Sequence, residues 1–253
     1  APQPGVGEPI GVVVRNGRAA VVLAKEGIGR IEFRDLAQLN AEPTATQVLA
    51  RAPRAVATTD SGLAVATDDS VLILSDAGRV LRSVSVPAIV DVAARGDTVF
   101  ALDVDGQVFD ATAGTASLLG TIDGAVALAA TLDDVCAIAS DAELSVDAST
   151  VACLEGWRTI DVGSPLRSLR SVGRLLLAAS AEQTFVVDGD DIVGVFAGTA
   201  PSIDGSVEAG ATTLPGRLFT VEEGVVGSSP LNSGESPPVF TDYECEALGV
   251  PRN

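Results

Sequence analysis

Thr98-Val99-Phe100-Ala101-Leu102-Asp103-Val104-Asp105-Gly106-Gln107-Val108-Phe109-Asp110 reads as two short strands joined by an acidic turn. The β-branched and aromatic residues favour extended chain, and Asp-Val-Asp-Gly supplies the turn between them. Working outward, Ala88–Ala93 alternates weakly and is expected to form a preceding inner strand. Ser117–Ile122 follows as a fourth strand and stops at Asp123-Gly124. Four short antiparallel runs of this kind are one sheet of a repeat architecture.

The same pattern recurs along the chain. Apolar runs at Ala20–Ala24, Leu63–Ala66, Val135–Ala139, Leu175–Ala179 and Leu218–Val221 each break at an acidic turn. Those turns are Lys25-Glu26-Gly27, Asp68-Asp69, Ser140-Asp141-Ala142-Glu143, Ala181-Glu182 and Glu222-Glu223-Gly224. Successive turns lie about 36 to 43 residues apart, the spacing of a four-stranded propeller blade. No segment sustains a 3.6-residue apolar period, so little helix is expected. The reading is all-β, a single six-bladed β-propeller of four-stranded antiparallel blades filling residues 1–253. The blades fall roughly at 9–53, 54–87, 88–124, 125–165, 166–200 and 201–247. In the fifth, the strands are read as Leu166–Val172, Arg174–Ala179, Thr184–Val187 and Ile192–Phe196. The first carries an insertion at Asp35–Thr46. The sixth is irregular, with a Gly/Ser/Pro-rich stretch, Gly227–Pro238, read as loop and Val239–Ala247 as a possible closing strand.

Composition narrows the partners. The chain carries 34 acids against 16 bases, a net charge of −18. Such a surface repels phosphate backbones, so no nucleic-acid partner is expected; the charge either serves solubility or adaptation to salt, or favours a cation or a basic protein surface. No apolar run is long enough to span a bilayer, so direct membrane insertion is not expected. The opening Ala1-Pro2-Gln3-Pro4-Gly5 looks like sequence following a signal-peptidase site, although removal of an initiator Met gives the same start. Extracytoplasmic placement (periplasm, cell surface or medium) is the expectation. Three cysteines, Cys136, Cys153 and Cys245, are compatible with it. Cys136 and Cys153 are the leading disulfide pair by proximity in sequence. They are read onto the second and fourth strands of one blade, an awkward separation for a disulfide.

Ala20-Val21-Val22-Leu23-Ala24-Lys25-Glu26-Gly27-Ile28-Gly29-Arg30-Ile31-Glu32-Phe33-Arg34-Asp35 resembles the LVIVD repeat. In that family a strand, a glycine-containing turn and a strand ending in Asp build propellers on bacterial and archaeal surface proteins. Leu63–Asp76 and Thr98–Asp110 resemble it more weakly. Val135–Asp147 lacks the glycine, and Leu218–Pro230 lacks the final Asp. The resemblance implies an extracytoplasmic propeller and carries no catalytic residues.

With no histidine, a Ser-His-Asp or Cys-His centre and any histidine-ligated metal are excluded. No phosphate-binding glycine loop occurs, and no catalytic or cofactor-binding residue is assigned. In a propeller the turn after each second strand opens on the same face as the connection into each inner strand. Glu26, Asp69, Asp105, Asp141, Glu182 and Glu223 would then form a ring of carboxylates facing a partner, or they serve only as turn formers on a solvated edge. Calcium is the ion considered, since hard cations take several carboxylate and carbonyl oxygens. Its candidates are Asp103 and Asp105 in one turn and Asp188 and Asp190 in Asp188-Gly189-Asp190-Asp191, which also suits a plain hairpin. Asp91, Arg167, Arg170 and Glu208 fall on inner strands, where an Asp91–Arg170 pair across the channel is conceivable. Trp157 and Tyr243 are accounted for by packing. The functional expectation is a non-enzymatic, exported binding or scaffold module of a surface or envelope assembly. The alternative is a calcium-dependent, lactonase-like hydrolase with a carboxylate-bound metal in its channel.

Overall fold

The computed structural model describes residues 7–15, 18–35, 42–140, 149–154, 159–162, 165–180, 183–197, 199–204, 217–222 and 225–230. All the regular structure among them is antiparallel strand. The first sheet holds β1 (Glu8–Arg15), β2 (Arg18–Lys25), β3 (Ile28–Asp35) and β4 (Ala45–Leu49). The second holds β5 (Ala55–Thr59), β6 (Gly62–Ala66), β7 (Ser70–Ser75) and β8 (Val80–Ser85). The third is β9 (Ile89–Arg95), β10 (Thr98–Asp103), β11 (Gln107–Asp110) and β12 (Ser117–Thr121). The fourth is β13 (Ala125–Ala130), β14 (Val135–Ser140), β15 (Ser149–Cys153) and β16 (Thr159–Asp161). The fifth is β17 (Ser168–Val172), β18 (Leu175–Ala179), β19 (Gln183–Asp188) and β20 (Asp191–Ala197). A sixth, three-stranded sheet contains β21 (Thr199–Asp204), β22 (Arg217–Glu222) and β23 (Val225–Pro230). Strands are neighbours in chain order in every sheet, so each sheet is a simple meander.

The all-β expectation holds, and the strands of the third and fifth sheets lie within a few residues of their sequence-read positions. Two readings are corrected. Gly227–Pro230 continues β23 instead of opening a loop, because Thr220 pairs with Gly227 and Arg217 with Pro230 along β22. Pro230 closes a strand that is an edge among the described strands, where a missing N–H is tolerated. Cys153 lies on the third strand of its sheet, not the fourth.

The chain divides into two compact units, Ala1–Leu128 and Ala129–Asn253, with the boundary inside β13. In the first unit, β5 contacts both β1 and β9, so the sheets meet through their first strands. Between the first and second sheets, Val22, Ile31, Phe33 and Leu49 pack against Leu63, Val65 and Leu74. Between the second and third, Ala64, Ala66, Val71, Ile73 and Val84 pack against Val92, Val99 and Ala101. Successive residues of β6 thus enter opposite cores, and every residue of that strand is buried. Burial on both faces explains why second strands read as unbroken apolar runs and not as alternation. The β6 face toward the third sheet is Ala64 and Ala66, and the face toward the first is Leu63 and Val65.

Turns join neighbouring sheets. The Asp60 amide donates to the Gly96 carbonyl at 3.1 Å, and the Ser61 amide to Asp97 Oδ1 at 2.8 Å. In the second unit the Leu132 amide makes the equivalent bond to the Gly173 carbonyl, at 2.9 Å. The pairing of third with fourth strands carries a β-bulge in three sheets. One extra residue is left on the fourth strand each time: Leu81, Leu119 and Val193. All three are exposed.

Candidate functional site

The turns following the second strands of the second and third sheets lie together with the connection between those sheets, as backbone hydrogen bonds show. The Val86 amide donates to the Asp69 carbonyl at 3.2 Å, and the Ile89 amide to the Asp68 carbonyl at 3.3 Å. The Val104 amide in turn donates to the Ala88 carbonyl at 3.0 Å. A continuous backbone chain therefore runs from the acidic turn of the second sheet to that of the third. Ala88 holds a left-handed backbone, φ 53°, to present its carbonyl there.

The acids on this rim differ in what they do. Glu26 is exposed and occupies the first central position of a two-residue hairpin turn, with φ 51° followed by Gly27 at 82°. Both values are left-handed, as a tight hairpin requires, and Glu is an unusual choice there. Asp69 is half-buried, and Arg51 reaches its Oδ2 at 2.9 Å. Arg54 pairs with Asp68 beside it. Asp69 Oδ1 also lies 3.3 Å from the Thr67 hydroxyl. Asp105 is exposed and its amide donates to Asp103 Oδ1 at 2.9 Å. Asp141, Glu182 and Glu223 lie outside the described residues. The structure therefore brings Asp69 and Asp105 onto one rim through their turns and puts Glu26 at the same turn of the first sheet.

Two of the four calcium candidates each have one oxygen engaged by a neighbour. Asp103 is buried and its Oδ1 accepts from the Asp105 amide and, at 2.8 Å, from the Gln107 amide, holding its own turn. Asp188 accepts from Arg174 at 2.6 Å, while Asp190 is exposed at the hairpin tip. Among the described residues one close group carries metal-ligand atoms: Asp134, Cys136 and Cys153, all buried and within 4.8 Å of one another. A disulfide joins the two cysteines, which removes both thiolates from that set. Cys136 faces Cys153 directly across β14 and β15, with their Cα atoms 4.0 Å apart. The next pair outward is bonded, since the Leu154 amide donates to the Val135 carbonyl at 2.9 Å. The cysteines thus occupy the narrower, non-hydrogen-bonded kind of pair. The distance that troubled the pairing in sequence disappears once Cys153 is on the neighbouring strand. Cys245 lies outside the described residues.

On the inner strands, Asp91 Oδ2 accepts from the Leu128 amide at 2.8 Å and Oδ1 from the Val92 amide at 2.8 Å. Asp91 therefore ties β9 to β13, a structural role that sequence reasoning missed. An acid one inter-blade period before an apolar strand was the available signal. Arg170 is exposed on β17 and donates to the Leu169 carbonyl at 2.9 Å; Arg167 is exposed just before that strand. Glu208, Trp157 and Tyr243 lie outside the described residues. No helix among the described residues is long and apolar enough to cross a membrane.

No family model matches the chain, and no curated protein matches it in sequence. Solved structures do resemble it. The WD40 domain of Toxoplasma gondii coronin is 11% identical, with TM-score 0.56 over 87% of this chain and 69% of that one. BBS1N in complex with ARL6DN is 15% identical, with TM-score 0.61 over 86% and 76%. Hydrazine synthase of Kuenenia stuttgartiensis is 13% identical, with TM-score 0.56 over 90% and 68%. Likeness at such identities carries the fold: repeated four-stranded antiparallel sheets of the propeller, WD40-like kind.

Proposed function

We propose that the chain is an exported six-bladed propeller that acts as a non-catalytic protein-binding module in a surface or envelope assembly. The observation that carries this reading is the hydrogen-bonded rim of turns in the first unit. It fixes exposed Asp105, and Asp69 with its Arg51 partner, on a hydrogen-bonded backbone. A fixed loop face on which exposed Asp105 keeps its negative charge suits recognition of a basic protein surface. Six acidic turns about 36 to 43 residues apart, and five four-stranded sheets followed by a sixth with three described strands, support the blade count. The cross-strand disulfide is compatible with export, and the LVIVD-like segments point the same way. The calcium-dependent hydrolase has weaker support, because Asp103 and Asp188 already commit oxygens to a turn and to an arginine.

Affinity capture from the native envelope fraction tests the proposal. Wild-type protein should retain a defined partner that E26Q/D69N/D105N fails to retain, while both melt at the same temperature. A strict monomer by native mass measurement with nothing retained, or equal retention by the variant, overturns it.

A further inference from the structure

We infer that the outer edge of the third sheet takes an extended, cationic and aliphatic segment of a partner protein. The inference rests on the protein-binding reading above and names a surface and an occupant for it. β12 is the outermost strand of its sheet, so among the described residues one row of its backbone groups has no strand beside it, an edge available for pairing. At its bulge, consecutive Leu118 and Leu119 are 56% and 49% exposed. In a regular strand, neighbours point to opposite faces and a buried face would claim one of them. Exposed adjacent leucines are an apolar anchor without a cover.

Carboxylates bracket these leucines. Asp110 pairs with Ser117 at one end of β12. At the other end the Ile122 amide donates to the Gly106 carbonyl at 2.8 Å, which brings exposed Asp105 beside exposed Asp123. No Lys or Arg occurs between Arg95 and Arg158, while acids recur throughout that stretch. The two other bulged edges differ. Leu81 on β8 has Arg79 and Arg82 close in sequence, and the turn leading to Val193 on β20 is partly neutralised by Arg174 on Asp188. The third sheet therefore combines an uncovered aliphatic pair with a field of one sign. Charge complementarity selects a basic occupant and the leucines require aliphatic side chains on it. A second copy is disfavoured by a net charge of −18 on each chain.

Fluorescence anisotropy on the full chain, with a short peptide alternating leucine and lysine, is the test. A lysine–serine peptide of equal charge and a leucine–glutamate peptide serve as comparators. The leucine–lysine peptide should bind. L118S/L119S should weaken it about tenfold, and D105N/D110N/D123N should weaken it and flatten its salt dependence. Equal binding of the lysine–serine peptide, or unchanged affinity in L118S/L119S, overturns the inference. Leucine-dependent dimerisation in sedimentation without peptide binding also overturns it, in favour of a second copy. Binding that survives L118S/L119S but is lost in E26Q/D69N removes the edge while leaving the acidic rim as the binding face. Both leucines are exposed, so the variants should melt with wild type, and a melting measurement confirms that the loss is local.

Discussion

The acidic turns of the second and third sheets occupy the same place, between a second and a third strand, and are built in opposite ways. Asp68 is exposed and Asp69 half-buried, and they are met by Arg54 and Arg51 from the connection preceding β5. Asp103 is buried, folds back on its own turn, and leaves Asp105 exposed with no base nearby in sequence. One turn is neutralised by charge and held only weakly by it. The other is held by amide hydrogen bonds and keeps its negative charge. An acidic residue at a blade turn therefore has no fixed meaning: its neighbours decide whether it shapes the chain or colours the surface.

Gly106 offers the hardest way to break the third-sheet turn. Its φ is 76°, and a Cβ there would stand 2.2 Å from the Ile122 carbonyl oxygen. Gly106→Ala must shift backbone as well as strain it, and should lower stability by about 3 kcal/mol in chemical denaturation. Gly27 in the first-sheet turn has φ 82° but nothing within 4 Å of that position. Gly27→Ala should therefore cost only the left-handed penalty, about 1 kcal/mol. Equal losses in the two variants would show that the packing around Gly106 contributes nothing.

Asp103 comes next. Asp103→Ala leaves two amides without their acceptor and should destabilise by about 2 kcal/mol. Asp103→Asn keeps one acceptor oxygen and should recover most of that, which denaturant midpoints can distinguish. If Asn fares as badly as Ala, charge and not hydrogen bonding holds the turn, and the contrast between the two sheets collapses. In the second sheet, Asp68→Asn with Asp69→Asn should change stability by no more than about 0.5 kcal/mol, because both ion pairs are solvent-exposed. Any effect should shrink further in salt.

Much of the frame was legible because two-sided burial writes itself as unbroken apolar runs, such as Leu63–Ala66, closed by turn residues. The disulfide partners were legible from proximity, whereas their strands were not. The sequence between Ser140 and Ser149 was counted as holding a further strand, and only the register shows Cys136 opposite Cys153. The bulges were hidden for a different reason. An extra residue within an outer strand changes no composition, so Leu119 read as one more apolar residue of a strand. The difference between Asp69 and Asp103 was equally invisible. Arg51 and Arg54 lie well upstream in sequence, and burial of Asp103 depends on a turn that returns its carboxylate onto backbone amides.

The smallest expected effect probes the comparison from the basic side. Arg51→Ser with Arg54→Ser strips the second-sheet turn of its cations and should leave it electrostatically like the third. Stability should hold within about 0.5 kcal/mol, since exposed pairs contribute little. Affinity for the lysine–serine peptide should nevertheless rise about twofold at low ionic strength, because two uncompensated carboxylates join the rim. That gain should vanish at high salt, where the Debye length falls to about 3 Å. An unchanged affinity at low salt would mean that the arginines do not mask the turn. Asp68 and Asp69 would then present as much charge to a partner as Asp105 does, and the two sheets would differ in construction alone.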